Sequence, residues 1–159
     1  MSSAARAAAL LANLLLPAWA PARMDLALRP IGVVRSPYAT PLDAPRQGEF
    51  ARVEATIEVA PEYEAGLAGI DAGAQLLVVW WAHLADRALL VRPGSDGVFS
   101  MRTPHRPNPI CLSDVRVARR EGRRLVVTGL EATEGTPVLD IKSARAEYDG
   151  WSALPGVTL

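Results

Sequence analysis

Beyond Leu26 the chain is cut into short apolar runs. From Arg52 to Val59 apolar and polar positions alternate, with Val53, Ala55, Ile57 and Val59 on one face and Arg52, Glu54, Thr56 and Glu58 on the other. That is the period of a half-buried strand. Leu76 to His83 reads Leu-Leu-Val-Val-Trp-Trp-Ala-His, and an unbroken apolar run predicts a central strand buried on both faces. Shorter runs predict strands over Ile31–Arg35, Ala88–Val91 and Val138–Ile141, and a hairpin of Val115–Ala118 with Leu125–Leu130 turning near Glu121-Gly122. One short helix is expected from Pro61 through Ile70, because proline suits the first helical position. Gly66, Gly69 and Gly73 have neither the order nor the βαβ setting of a dinucleotide loop, so they are not read as one. Many short strands with little helix predict a mainly β domain, sheet or barrel.

One stretch breaks this pattern. Gly97 to Ser113 carries Pro104, Pro107 and Pro109 together with Arg102, His105, Arg106 and Asn108. Proline fixes φ, removes an N–H donor and pushes the residue before it towards extended backbone. Thr103, Arg106 and Asn108 each precede a proline. The stretch is therefore expected to be neither helix nor central strand, but a stiff loop holding its polar side chains in fixed directions. Such preorganised polar groups suit a binding site.

With 159 residues, half of them apolar, the chain has enough for one domain with a sizeable core. Its formal net charge is +0, so any contact with nucleic acid must come from a local patch. Arg119, Arg120, Arg123 and Arg124 flank the expected hairpin turn, either as a solvated tip or as a phosphate-contacting patch. Cys111 is the single cysteine, which excludes an intrachain disulfide and a multi-thiolate metal site. His83 and His105 lack zinc spacing, and no metal is expected.

The run Gly97-Val-Phe-Ser-Met-Arg-Thr-Pro-His-Arg-Pro-Asn-Pro-Ile110 closely resembles the characteristic loop of the TsaA-like family, whose best-known members are tRNA methyltransferase O enzymes. Ile31 to Tyr38, Ala44 to Gly48, Pro61-Glu62-Tyr63, His83 and Glu134 to Lys142 are similar to further motifs of that family, in the same order. The resemblance spans Arg29 to Asp149. It implies a TsaA-like β-barrel, S-adenosylmethionine as cofactor, N6-methylation of threonylcarbamoyladenosine beside the anticodon of tRNA, a homodimer, and a cytoplasmic place of work without membrane or metal. It also nominates residues. Arg46, Gln47, Gly48, His83, Leu84, Arg102, Leu112, Thr128, Gly129, Leu130 and Glu131 fall on cofactor-lining segments, with Arg102 facing the cofactor carboxylate. Asn108, Asp140 and Lys142 are the candidates for the acceptor side; for Asp140 and Lys142 a structural ion pair is the alternative. Methyl transfer asks the protein mainly to align donor and acceptor and to exclude water.

Four positions depart from the family pattern: Met101 for threonine, Cys111 for glycine, and Ser143-Ala144 for Pro-Tyr. Longer family members carry a C-terminal domain linked to tRNA recognition, so a cofactor-binding barrel acting on a small molecule, or lacking tRNA activity, stands as the alternative. Residues 1–24, with an apolar run from Ala7 to Leu16, read as an extension outside the TsaA-like domain of residues 25–159. A secretory signal, a start codon upstream of a true Met24, and an appended amphiphilic helix would each produce such a run.

Overall fold

The structure, a computed structural model, describes residues 27–46, 48, 51–92, 94 and 96–144. The expected extension of residues 1–24 lies outside them. Six strands form a closed barrel: β1 (Gly32–Arg35), β2 (Ala55–Val59), β3 (Gln75–Trp81), β4 (Ile110–Glu121), β5 (Arg124–Thr128) and β6 (Pro137–Ser143). Around the wall the order is β1-β2-β5-β4-β3-β6, and every pairing is antiparallel. This is the mainly β, barrel-type fold that the family resemblance implies, and not a Rossmann fold. Ile57, Val59, Val78, Val115, Leu125, Val127 and Val138 fill the interior with almost no exposure. Each such side chain contributes about 1.5–3 kcal/mol by leaving water.

The alternation in β2 holds at Ala55, Ile57 and Val59, which are buried, and fails at Val53, which precedes the strand and is 54% exposed. The long apolar run also behaves differently from its reading. β3 ends at Trp81; Leu76, Val78 and Trp80 point inward, while Leu77, Val79 and Trp81 lie half-buried on the outer wall. A small barrel has a single packed interior, so only alternate residues of a strand can enter it. Ala88–Val91 is not a strand. Val91 makes one isolated bridge to Gly97, Leu90 and Val91 are exposed, and among the described residues no strand pairs with the segment. The helix begins at Pro61 as expected but is a 3₁₀ helix ending at Leu67, whose side chain plugs the core. Arg120 ties it down by donating to the Leu67 carbonyl at 2.7 Å.

The loop stretch is more structured than its prolines suggest. Val98–Ser100 forms a 3₁₀ turn, and Ile110 to Ser113 already belong to β4. Pro109 is buried directly before the strand, so the prolines end where pairing begins. β4 is shared between two neighbours. Ile110 to Arg116 pair with β3, and Arg116 to Glu121 pair with β5, with a bulge between Val117 and Arg119. From Ile110 to Val115 the other edge of β4 therefore has no strand beside it among the described residues.

At the far end of β4 the hairpin arginines are occupied. Arg119 pairs with Glu54 at 2.8 Å and Glu121 at 2.9 Å, and Arg123 and Arg124 both pair with Glu58. The tip is solvent-exposed, as the first of its two readings has it, and surface ion pairs tie its arginines to Glu54, Glu58 and Glu121.

Candidate functional site

An open cavity of about 1470 Å³ runs along the unpaired edge of β4, with Ile110 to Arg116 forming one wall. It is also lined by Ala44 to Arg46, Gly48, Ala51 and Arg52, by Trp80, Thr128, Gly129 and Glu131, and by His83, Leu84, Arg92 and Met101 to Arg106.

Two glycines allow three backbone segments to stack beside this edge. A Cβ on Gly48 would stand 2.2 Å from the Gly129 carbonyl oxygen and 2.9 Å from Glu131 Oε2. A Cβ on Gly129, whose φ is +90°, would stand 2.7 Å from the Asp114 carbonyl oxygen. Only glycine permits such approach without displacing backbone. Gly129 N–H also donates to Ala51 O at 2.9 Å, locking the layers in register.

A buried hydrogen-bonded chain runs from core to cavity. The Trp80 indole N–H donates to Ser113 Oγ at 2.8 Å, and the Ser113 hydroxyl donates to Glu131 Oε2 at 2.7 Å. Burial pushes the Glu131 carboxyl above its ordinary value, while the Ser113 bond and a backbone N–H oppose the shift. The Cys111 thiol is pushed up to about 11, by burial first and then by the charge of Glu131. It is therefore a protonated, inert wall residue at neutral pH, consistent with its reading as a small apolar side chain.

The stiffness of the loop has a second source besides proline. Arg106, expected as a presented binding group, turns into its own loop: Nε donates to Thr103 O at 2.8 Å, and Nη2 donates to Val98 O at 3.0 Å and to Met101 O. From the other side Arg87 donates to Pro107 O at 3.0 Å and lies 5.4 Å above the Trp81 ring. His105 Nδ1 accepts the Asp86 backbone N–H at 3.0 Å, so its proton sits on Nε2 when the ring is neutral.

Of the residues nominated from sequence for the cofactor, Arg46, Gly48, His83, Leu84, Arg102, Leu112, Thr128, Gly129 and Glu131 all line this cavity. Leu130 does not; it is fully buried in the core. Gln47 lies outside the described residues. His83 Nδ1 sits 3.4 Å from Thr136 Oγ1, its ring otherwise exposed. Arg46 and Arg102 make no hydrogen bond or ion pair among the described residues, which leaves both guanidiniums available to an anionic group.

The acceptor-side candidates fall elsewhere. Asn108 is exposed beside the start of β4, its carbonyl accepting the Ile110 N–H at 2.8 Å. Asp140 and Lys142 lie on the outer wall, where Lys142 Nζ meets Asp140 Oδ2 at 2.6 Å. Asp140 pairs with Val79, and Val79 pairs with Leu112, so the three share one outward row. At ~4.8 Å between strands, Asp140 stands about 10 Å from that cavity wall. Ser113, Trp80, Arg52 and Arg116 line the cavity but were not singled out from sequence. For Trp80 a signal existed: a buried indole requires a hydrogen-bond acceptor.

The chain is similar to known proteins along most of its described length. It is 47% identical over 131 residues to a probable S-adenosyl-L-methionine-binding protein of Archaeoglobus fulgidus, covering 79% of this chain and 36% of that one. It is 31% identical over 140 residues to the human tRNA (adenine(37)-N6)-methyltransferase, covering 79% of this chain and 31% of that one. The crystal structure of TrmO superposes with a TM-score of 0.71 at 34% identity, covering 86% of this chain and 64% of that chain. The model of the tRNA-methyltransferase O N-terminal domain matches residues 33–150, and the chain belongs to that family.

Proposed function

We propose that the protein is an S-adenosylmethionine-dependent methyltransferase acting on tRNA, with N6 of threonylcarbamoyladenosine beside the anticodon as the accepting atom. One observation carries this reading: residues from five separate segments, nominated only by their motifs, converge on a single cavity. The lining suits the cofactor chemically. Leu84 and Leu112 offer exposed apolar surface for a base, Arg102 offers a guanidinium for a carboxylate, and the Glu131 carboxylate offers an acceptor for hydroxyl or amine. Gly48 and Gly129 keep side chains out of the narrowest part.

When bound, the cofactor supplies a methyl group already activated by its sulfonium. The chain's own work is to hold both partners and to accept the proton that N6 releases. Asp140 is assigned the proton, with Lys142 and Asn108 positioning the acceptor. These residues stand outside the cavity, and a homodimer is proposed to bring them to it. Leu77, Val79 and Trp81 form a half-buried apolar strip beside Asp140 and Lys142, and a second copy would cover it. No helix among the described residues is long and apolar enough to cross a membrane, and tRNA places the work in the cytoplasm.

The test is calorimetry with S-adenosylmethionine, followed by incubation with tRNA carrying unmethylated threonylcarbamoyladenosine and mass spectrometry of its nucleosides. Saturable binding and a new methylated nucleoside are expected. Binding with no methylated nucleoside would replace this reading with a cofactor-binding barrel acting on a small molecule, a reading supported by the Archaeoglobus relative, which is named only for binding. Absence of binding removes both.

A further inference from the structure

The chain is neutral, yet its charges are not evenly spent. On the β1, β2 and β5 side, Arg35, Arg119, Arg123 and Arg124 are paired with Glu54, Glu58, Glu121 and Glu134. Around the cavity the reverse holds. Arg46, Arg52, Arg92, Arg102 and Arg116 line it, and their guanidiniums make no hydrogen bond or ion pair among the described residues. Among the described residues, two carboxylates, Asp114 and Glu131, line the same cavity. Four arginines on one side of the barrel are paired with glutamates, and five that line the cavity have guanidiniums without a partner among the described residues.

Beside this cavity stands Phe99, 80% exposed. It sits in the Val98–Ser100 turn, whose Val98 is buried and whose Val98 carbonyl is held by Arg106. Met101 and Arg102 follow and line the cavity, so Phe99 lies within about 10 Å of it along the chain. The Val91–Gly97 bridge sets Arg92 on the same flap. A rigidly mounted, exposed aromatic ring next to unpaired arginines is the pairing that single-stranded RNA recognition uses: rings for bases, guanidiniums for phosphates.

We propose that Arg52, Arg92 and Arg116, exposed members of the cavity lining, form a phosphate track, and that Phe99 is a stacking platform for a base flanking the target nucleotide of an unpaired RNA loop. The inference deepens the tRNA reading above and rests on it. Arg46 and Arg102 are left out because they are assigned to the cofactor.

The experiment measures binding of a short RNA hairpin with an unpaired loop, and of an RNA duplex, by fluorescence anisotropy across a salt series. Cofactor affinity, melting temperature and mass are measured on the same preparations. Phe99→Ala should weaken hairpin binding roughly five- to a hundredfold with the salt slope unchanged, while Phe99→Trp binds like wild type. The triple Arg52→Ala, Arg92→Ala, Arg116→Ala variant should flatten the log–log salt slope by about 2, and the corresponding lysine triple should restore it, since phosphate contact needs charge. Cofactor affinity should not change in the Phe99 variants, whose side chain is not part of the cavity lining. Wild-type hairpin affinity in Phe99→Ala, or an unchanged slope in the alanine triple, overturns the proposal. So does a change of mass in Phe99→Ala, which would make Phe99 part of a protein interface. A wild-type protein that binds the cofactor but no RNA overturns it and leaves the cofactor site standing; one that binds RNA but no cofactor overturns the methyltransferase reading instead.

Discussion

Arg106→Ala tests whether the loop is braced from within. In the structure a single guanidinium donates to the carbonyls of Thr103, Val98 and Met101, and the side chain is part-buried. A hydrogen bond from a charged donor contributes about 1.5–3 kcal/mol, and a carbonyl left without a partner adds ~1–3 kcal/mol where water cannot replace it. Three bonds from one group are not additive, and the loop borders an open cavity, so a total loss of about 2–4 kcal/mol is expected. For a chain of this size that lowers the melting temperature by roughly 4–16 °C, at about 2–4 °C per kcal/mol. Arg106→Lys should recover only a minor part, because one ammonium cannot span three carbonyls held by a planar fork. Urea denaturation gives the stability and calorimetry the cofactor affinity on each variant. If Arg106 were a ligand-facing residue, as its motif position suggests, Arg106→Ala would bind weakly and melt like wild type. That result would refute the brace.

Arg102 should behave in the opposite way: Arg102→Ala and Arg102→Lys should both lose roughly ten- to a hundredfold in S-adenosylmethionine affinity by calorimetry, with unchanged melting. Gly48→Ala drives a Cβ into the Gly129 carbonyl and should cost about 1–3 kcal/mol in urea denaturation, whereas Gly66→Ala meets nothing within 4 Å and should be neutral or stabilising; equal effects would deny the layered packing. Light scattering should return twice the 17.0 kDa chain mass, and Val79→Asp on the outer strip should return a monomer; a monomeric wild type counts against the dimer. Glu134 is held below the ordinary carboxylate range by the Ser36 N–H first and by Arg35. A lowered folded value means stability that is present above the unfolded pKa and lost as pH falls through the folded one, so Glu134→Gln should flatten the acid limb of a melting-temperature profile; an unaltered limb would reject that role.

Sequence patterning located the barrel strands wherever alternate residues enter the core, as at Ala55, Ile57 and Val59. It overread Leu76 to His83, because an apolar outer wall and an apolar inner wall look the same in one dimension. Ala88–Val91 shows the complementary error: propensity without a sheet edge to pair makes no strand. Motif resemblance nominated nine residues that line the cavity. It did not reach Arg52, Arg116, Trp80 or Ser113, because their place depends on how β4 passes from β3 to β5. The role of Arg106 was also hidden, since a guanidinium that braces carbonyls and one that waits for a ligand occupy the same position in a motif.

The double allegiance of β4 ties occupancy of the cavity to the integrity of the whole barrel. The strand that walls the cavity from Ile110 to Arg116 is the strand that closes the barrel from Arg116 to Glu121. A ligand seated on that edge contacts a segment that cannot come loose without opening the core, so its binding energy is felt by global unfolding rather than by a local loop. At a hundred times its dissociation constant, such a ligand raises the unfolding free energy by about 2.7 kcal/mol. The paired amides of β4 and its neighbours should therefore exchange more slowly when the cavity fills, and a thermal shift becomes a direct measure of occupancy.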